Sequence, residues 1–384
     1  MTESCDKTGP AAHFPAADRV IVHRDLDSAA AHWSALERFA PTVYQTRAYL
    51  GAWFRHLARD ASPFIVVGLD DAGEPAFMLP LALLPRGPLR TAVYAGDRHS
   101  NANLPIFRDG FTLSPRQARE ALKAAARAGA NPDVFALLNQ PREWSGRANP
   151  FAALSHRASH HNAYGANIAG DAEAYLQRVD SKATRKKLKS KARHLEDVGP
   201  VRAFRVVARA EAAQALDTLI DQKTERFTEQ KGVDPHLSRP ATRAFFRELV
   251  TPVDDTPALL EPYVLLAGDK VCSVYAGLPH GDHWHGLVNS ISTDPDIARS
   301  SPGELLLRFV IRDLAARGFK SYDLGIGEAR YKNAICDQTI EMNDVVLATS
   351  MAGKIWAAGE IAMLDMKAAI KQRPALYRLA NRLR

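Results

Sequence analysis

Only three cysteines occur in the 384 residues, Cys5, Cys272 and Cys336, and no two of them form a CxxC pair. That argues against a disulfide framework and a zinc ribbon, and for a reducing compartment. No apolar run approaches the ~20 residues of a membrane span. The opening residues MTESCDKTGPAAHF have neither a basic stretch nor an apolar core, so no secretory leader is expected and the cytoplasm is the expected location. Metal-ligand spacing is lacking too. His280, His283 and His285, in HGDHWHG, fall in a Gly-containing turn between two expected strands with no clear fourth ligand. They read as exposed loop histidines, and His156, His160 and His161 as linker, so no metal is expected. Cys336 has no His or base nearby in the sequence, which argues against a nucleophile.

What is present is locally concentrated positive charge. The chain carries a net +7, yet Lys182–Arg193 alone holds seven Lys/Arg and no acid. Lys354–Arg384 holds another seven against Glu360 and Asp365, so the rest of the chain is slightly acidic. Such placement points to particular anionic partners. The first run contains no aromatic residue, which favours phosphate contact over base stacking. The second, with Met363, Leu364, Ile370 and Leu379 among its cations, reads as a basic amphipathic helix pair divided near Pro374. Contact with an anionic membrane surface and packing against a domain are both open for it.

The most informative stretch is 284–332. Trp284–Ser292 predicts a strand, Thr293–Ser300 a loop, and Ser301-Pro302-Gly303-Glu304 a capping box opening a helix with Leu306, Phe309, Val310 and Leu314 on one face. Gly318 ends the helix and Phe319–Ile326 predicts the next strand. A helix start facing a loop in a strand–helix–strand unit is an expected anion site. Upstream, Lys182–Asp197 predicts a helix with Ser181 at its start, and Glu211–Gln230 an amphipathic helix closed by Gly232. Residues 63–86 and 261–281 share an order: Pro, aromatic, Val, a Gly-containing turn, a strand, then Leu-Pro. Each is preceded by helices and followed by strand–helix–strand, which predicts two copies of one α/β plan. The expected units are 18–160 and 161–350, with basic helices over 351–384.

Taken together, KATRKKLKSKARHLE, then SPGELLL, then DLGIGEARYK resembles the second half of the CelD-like acetyltransferases, a branch of the GNAT superfamily similar to FemAB-type aminoacyltransferases. YQTRAYLGAWFRHL, PAFMLPLAL and SNANLPIF resemble that family's first half. The resemblance covers about residues 20–340. It implies tandem GNAT-like domains, each a mixed, mostly antiparallel sheet flanked by helices. It also implies transfer of an acyl group, acetyl in the simplest case, from acyl-CoA to an amine or hydroxyl, with a small or glycan-linked acceptor in exopolysaccharide or envelope synthesis. Two alternatives stay open: aminoacyl-tRNA as donor, contacting 182–193, and a non-catalytic binding protein of the same fold. The phosphate loop keeps Arg299 and Gly303 of the family's Q/R-x-x-G-x-G/A run, with Pro302 and Glu304 as departures.

Arg299, Ser300, Ser301 and Gly303 are therefore the expected diphosphate contacts, with Arg185 and Lys189 reaching phosphate from the basic helix. Asp323, at a strand end, is a candidate general base for the acceptor; its other reading is a structural Asp bonding the Gly325–Gly327 backbone. Tyr331 is the candidate acid for the departing thiolate, and Lys332 the neutraliser of phosphate or oxyanion. Asn289 and Tyr275, on adjacent expected strands, either line the same cleft or are polar core residues. The resemblance alone adds Trp53, Arg98, Asn101 and Asn103 as an acceptor pocket.

Overall fold

The computed structural model describes residues 19–58, 60–155, 158–159, 161–231, 236–252 and 257–372. The expected N-terminal arm, His156, His160, Gly232 and everything from Arg373 onward, including the break at Pro374, lie outside the described residues.

The first half runs β1 (Val20–His23), α1 (Ala30–Leu36), α2 (Arg47–His56), β2 (Ser62–Leu69), β3 (Pro75–Arg86), β4 (Leu89–Tyr94), β5 (Ile106–Phe107), α3 (Pro115–Ala128) and β6 (Val134–Pro141). A small hairpin, β7 (Glu143–Trp144) and β8 (Arg147–Ala148), occupies what the sequence reads as linker. The second half runs β9 (Ala163–Asn167), α4 (Ala172–Val179), α5 (Lys182–Glu196), β10 (Val201–Arg205), α6 (Arg209–Lys231), α7 (Pro240–Val250), β11 (Glu261–Ala267), β12 (Lys270–His280) and β13 (His283–Ile291). It continues with α8 (Pro295–Ala298), α9 (Pro302–Ala316), β14 (Ser321–Ile326), α10 (Arg330–Ile335) and β15 (Gln338–Ile340). The described chain then closes with β16 (Met342–Ala348) and α11 (Met351–Gln372).

Two seven-stranded sheets result, in the orders β1-β2-β3-β4-β6-β16, with β5 on β3, and β10-β11-β12-β13-β14-β9-β15. Each repeats one plan: a strand, two helices, antiparallel strands, then a helix leading to a strand paired in parallel (β4 with β6, β13 with β14). One strand then crosses over: β9, which opens the second half, pairs with β14 of its own sheet, whereas β16, near the end of the second half, pairs with β6 of the first sheet. A unit drawn over 161–350 thus includes a strand of the other sheet. Helix α11 follows β16 onto the first sheet, where Ser350 Oγ donates to Asp133 Oδ1 at 2.7 Å.

Local chemistry explains the elements. Ser114 and Gln117 form a capping box on α3. Ser181 accepts from the Thr184 amide to start α5. Helix α9 buries Leu306, Leu307, Val310, Ile311 and Leu314 against the second sheet. One core cluster joins both halves, including Trp33 and Leu50 of the first and Leu216, Phe245 and Val274 of the second. Tyr49 on α2 meets Phe245 on α7 edge to face at 5.6 Å, a contact worth about 1 kcal/mol beyond the area it buries. No helix among the described residues is long and apolar enough to cross a membrane.

Candidate active site at the diverging strands

Strands β13 and β14 pair over three positions only, His283 with Ser321, Trp284 with Tyr322 and His285 with Asp323, and then part. Two features drive them apart. On β13 the register against β12 shifts so that Leu287 has no partner, the mark of a bulge. At the end of β14, Gly325 and the following Gly327 adopt φ of +72° and +94°, a region that favours glycine, and turn the chain away. Asn101 of the first half lies so close to Gly325 that a side chain there would strike its amide.

A cavity of about 590 Å³ opens along the freed stretch of β13. Tyr275, Asn289 and Ile291 form one wall, Ser301, Gly303 and Glu304 the start of α9, and Tyr331 the end nearest the divergence. Lys223, Arg226 and Phe227 of α6 close the remaining side. Asn289, Tyr275, Ser301, Gly303 and Tyr331 thus come together in one cavity.

The helix start differs from the expected capping box. Ser301 sits at φ +48° with no side-chain cap, because its amide already bonds the Ala298 carbonyl at 3.0 Å in the turn leaving α8. An N-cap needs extended backbone. Its hydroxyl instead accepts from Lys191 Nζ at 2.7 Å, and Lys191 also meets Glu304 at 3.1 Å. The basic helix therefore reaches the cavity mouth through Lys191. Arg185 is turned onto the Gln177 and Asp180 carbonyls, and Lys189 is exposed. Ser300 is fully buried with its hydroxyl unpartnered, and Arg299 faces Asp296 at the surface. Neither of these two lines the cavity.

Burial pushes the Lys223 ammonium down to about 8, and Arg226 and Lys332 add repulsion. Its Nζ donates to the Asn289 carbonyl at 3.0 Å. Tyr331 hydrogen-bonds Tyr275, and burial raises both hydroxyls above the usual tyrosine value, so each keeps its proton at neutral pH. Lys332, expected at phosphate or oxyanion, is buried and donates to the Gly325 and Ile326 carbonyls at 3.0 Å each. It braces the glycine turn.

Asp323 lies behind the point of divergence, 3% exposed, with Oδ2 accepting from His285 Nδ1 at 2.6 Å and His283 Nε2 at 2.9 Å. Its Oδ1 accepts from the Gly325 amide at 2.8 Å, so the structural role foreseen for it is present alongside the histidines. Burial favours the protonated acid, but the two imidazoles outweigh it and hold the carboxyl far below the usual range. A carboxylate held so firmly is a poor base and a good orienter of imidazole. The loop reading of the histidines is corrected here. The β12–β13 turn is only Gly281 and Asp282, with Gly281 at φ +58°, so the strand begins at His283. His280 lies on β12 instead, its Nε2 2.8 Å from the Ala40 carbonyl. Period-2 spacing of His283 and His285 after a two-residue turn was the available signal.

His283, His285 and Asp323 each bring one ligand atom to within 4.8 Å of the others, a candidate cation set. The Asp–His separations of 2.6 and 2.9 Å are hydrogen-bond lengths, shorter than the ~3.3 Å between neighbouring ligands around a tetrahedral ion. The cluster therefore fits a hydrogen-bonded relay. Ser321 Oγ completes it, 2.7 Å from His283 Nδ1. First-half aromatics cover it: Trp144 stacks on His285 at 5.7 Å and Tyr44 lies at 5.2 Å. Asn101 donates to the Tyr44 hydroxyl.

His283 and Ser321 line a second space of about 1080 Å³, between Arg142, Trp144 and Asn149 of the first half and Asn167 and Gln338 of the second. The other first-half residues expected there stand elsewhere. Trp53 is buried in α2 with its indole 3.4 Å from His99, Asn103 is buried and bonds the Leu138 carbonyl, and Arg98 faces Asp97. The hairpin carrying Trp144 supplies that wall instead.

Desolvation pushes the buried His285 down to about 4. The unfolded chain therefore binds a proton below about 6.5 that the folded chain refuses until about 4. Stability is present above 6.5 and is lost as pH falls through this window, by about 3 kcal/mol in all. Urea midpoints at pH 7 and pH 4.5 measure it, and His285→Asn should flatten the difference. Parallel pH profiles for the two proteins would refute this assignment.

No curated protein sequence matches the chain. Among solved structures, that of FemX aligns with a TM-score of 0.55 at 10% identity, covering 85% of this chain and 96% of that one. A conserved protein of unknown function from Bacteroides thetaiotaomicron aligns at 0.51 and 13% identity, over 87% and 100%. A C-terminal DUF2156 domain from Agrobacterium fabrum aligns at 0.50 and 13%, over 87% and 97%. At these identities the likeness is one of fold: α/β, with two GNAT-like units in tandem, each a mixed, mostly antiparallel sheet flanked by helices. Residues 182–333, which hold the basic helix, the diverging strands and the cavity, match the acetyltransferase (GNAT) domain family.

Proposed function

We propose that the protein transfers an acyl group from acyl-CoA to an amine or hydroxyl. The observation that carries this reading is the cavity along the freed edge of β13, running from the Tyr275–Tyr331 pair to the start of α9. Diphosphate is held by Ser301, Lys191 and the amides of α9, with Lys191 exchanging Glu304 for phosphate. The acceptor enters from the space beside Trp144, where His283 and Ser321 stand. Its proton passes through the Ser321 hydroxyl to His283 Nδ1, while Asp323 orients the imidazole and balances the charge. The acceptor's N–C or O–C bond forms as the C–S bond breaks, and Tyr331 gives its proton to the thiolate. Attack is direct, with no covalent intermediate on the transfer path. Acetyl is the simplest acyl group, and a glycan-linked acceptor in exopolysaccharide or envelope synthesis, as for the CelD-like branch, is the proposed setting in the cytoplasm. The units are proposed as 18–160 and 161–350. The exposed Met351, Ile355 and Met366 make α11 a proposed contact with an anionic membrane.

The test is thermal unfolding with CoA, acetyl-CoA and longer acyl-CoAs. A donor at a hundred times its Kd should add about 2.7 kcal/mol, and Ser301→Tyr should abolish the gain. Absence of a shift with every thioester would refute the donor assignment. A second reading, aminoacyl-tRNA as donor, is favoured by one observation: Lys182, Lys186, Lys187, Lys189 and Arg193 project from α5 into solvent. It requires tRNA affinity that falls steeply with salt.

A further inference from the structure

We infer that Lys223 is a self-acylation site: an acyl thioester in the cavity transfers its acyl group to the Lys223 amine. This rests on the cavity being the donor site. Lys223 projects from α6 onto β13, and its Nζ is fixed 3.0 Å from the Asn289 carbonyl. Lys223 and Asn289 line the same cavity as the Tyr275–Tyr331 pair and the start of α9, so the amine lies beside a thioester bound there. Among the described residues no carboxylate bonds it. The charges that act on it most are those of Arg226, one turn along α6, and Lys332 from α10; Glu304 of the same cavity is engaged by Lys191, and Phe227 covers the amine at 5.9 Å. A lysine desolvated beside other cations is the usual way to keep a fraction of the amine neutral and nucleophilic. Its depressed titration agrees with that surrounding.

The reaction needs no other reagent. Neutral Nζ attacks the carbonyl carbon, the N–C bond forms, the C–S bond breaks, and the amine's proton leaves on the CoA thiol. The product is an amide without charge. It is stable in water, removes a cation from the cavity and fills part of the donor's path. Acylated protein is therefore closed to further donor, which makes the modification a brake that responds to acyl-thioester supply. Acceptor competes with it, because transfer to the acceptor consumes the same bound thioester.

The experiment incubates the full chain with acetyl-CoA at neutral pH and follows intact mass, a peptide map and thermal stability together. Lys182, Lys186, Lys187 and Lys189, exposed on α5, serve as controls within the same molecule. One acetyl group per chain is expected on Lys223, about tenfold faster than on those four. It should be absent in Lys223→Arg, and the modified protein should no longer be stabilised by fresh CoA. Stabilisation by acetyl-CoA without preferential acylation of Lys223 would overturn this inference and leave the donor site standing. Absence of stabilisation by any acyl-CoA would overturn the donor site, and this inference with it.

Discussion

Asp323→Asn is expected to lower the rate of acyl transfer by about 10²- to 10⁴-fold, the range that positioned acid–base groups contribute. The substitution keeps the shape of the side chain but removes the charge on which His283 and His285 both converge. An amide oxygen can accept from one imidazole, while its NH2 group faces the other with a donor, so the relay loses its fixed tautomers. His283 would then present the wrong nitrogen to Ser321 half the time or more, and any imidazolium formed would lack its counter-charge. Donor binding is a separate matter, because Asp323 does not line the donor cavity. Stabilisation by acyl-CoA should therefore persist in Asp323→Asn while turnover collapses, and acceptor-saturated rates should fall more than apparent donor affinity. A variant that keeps full turnover would remove the relay from the mechanism and leave Asp323 as a support for the Gly325 turn.

Arg308→Ala is expected to destabilise the fold by about 3–5 kcal/mol, the cost of leaving a buried charge without its partner. Arg308 lies on α9 and Asp180 in the turn between α4 and α5, and both are almost inaccessible. Their contact is bidentate, Nε to Oδ2 at 2.8 Å and Nη2 to Oδ1 at 2.5 Å, while Nη1 caps the Glu304 carbonyl at 2.9 Å. The pair fixes the basic helix against the start of α9, which is how Lys191 comes to stand at Ser301. Truncation should therefore also weaken CoA binding. Arg308→Met combined with Asp180→Leu removes both charges and should recover most of the stability, since a well-packed apolar pair often replaces a buried ion pair without loss. Urea unfolding of the single and double variants decides it. A single variant within about 1 kcal/mol of the parent would show that water reaches Asp180 and screens it.

Much of the fold was legible in the chain because the signals are local. The hairpin at Gly268-Asp269, the strand–helix–strand order over 284–326 and the duplicated pattern at 63–86 and 261–281 each rest on side-chain period and turn residues within a stretch of about 45 positions or fewer. So did the placing of Asn289, Tyr275, Ser301, Gly303 and Tyr331 near one another, since all belong to that unit or to the strand paired with it. The misplacements have a common cause. Ser301 has the sequence of an N-cap, but the turn leaving α8 holds its amide on the Ala298 carbonyl, which only the path of that turn decides. Lys332 follows Tyr331 in sequence, yet one step along a helix turns a side chain by about 100°, from the cavity into the glycine turn. Lys189 and Lys191 are indistinguishable in a run of cations, and only the latter meets α9.

By itself the sequence determined the two copies of one α/β plan, a helix starting at Pro302 and the concentration of charge on α5, because propensity, period and capping act between neighbours. The tertiary structure alone decided that β9 closes on β14 while β16 crosses to the first sheet, that His283 and His285 share one carboxylate oxygen of Asp323, and that Trp144 and Tyr44 of the first half cover them. Those features depend on which strand edges find each other and on residues from about 40 to more than 200 positions apart. Pairing of that range is set by the burial of whole sheet faces, which no short stretch of the chain contains.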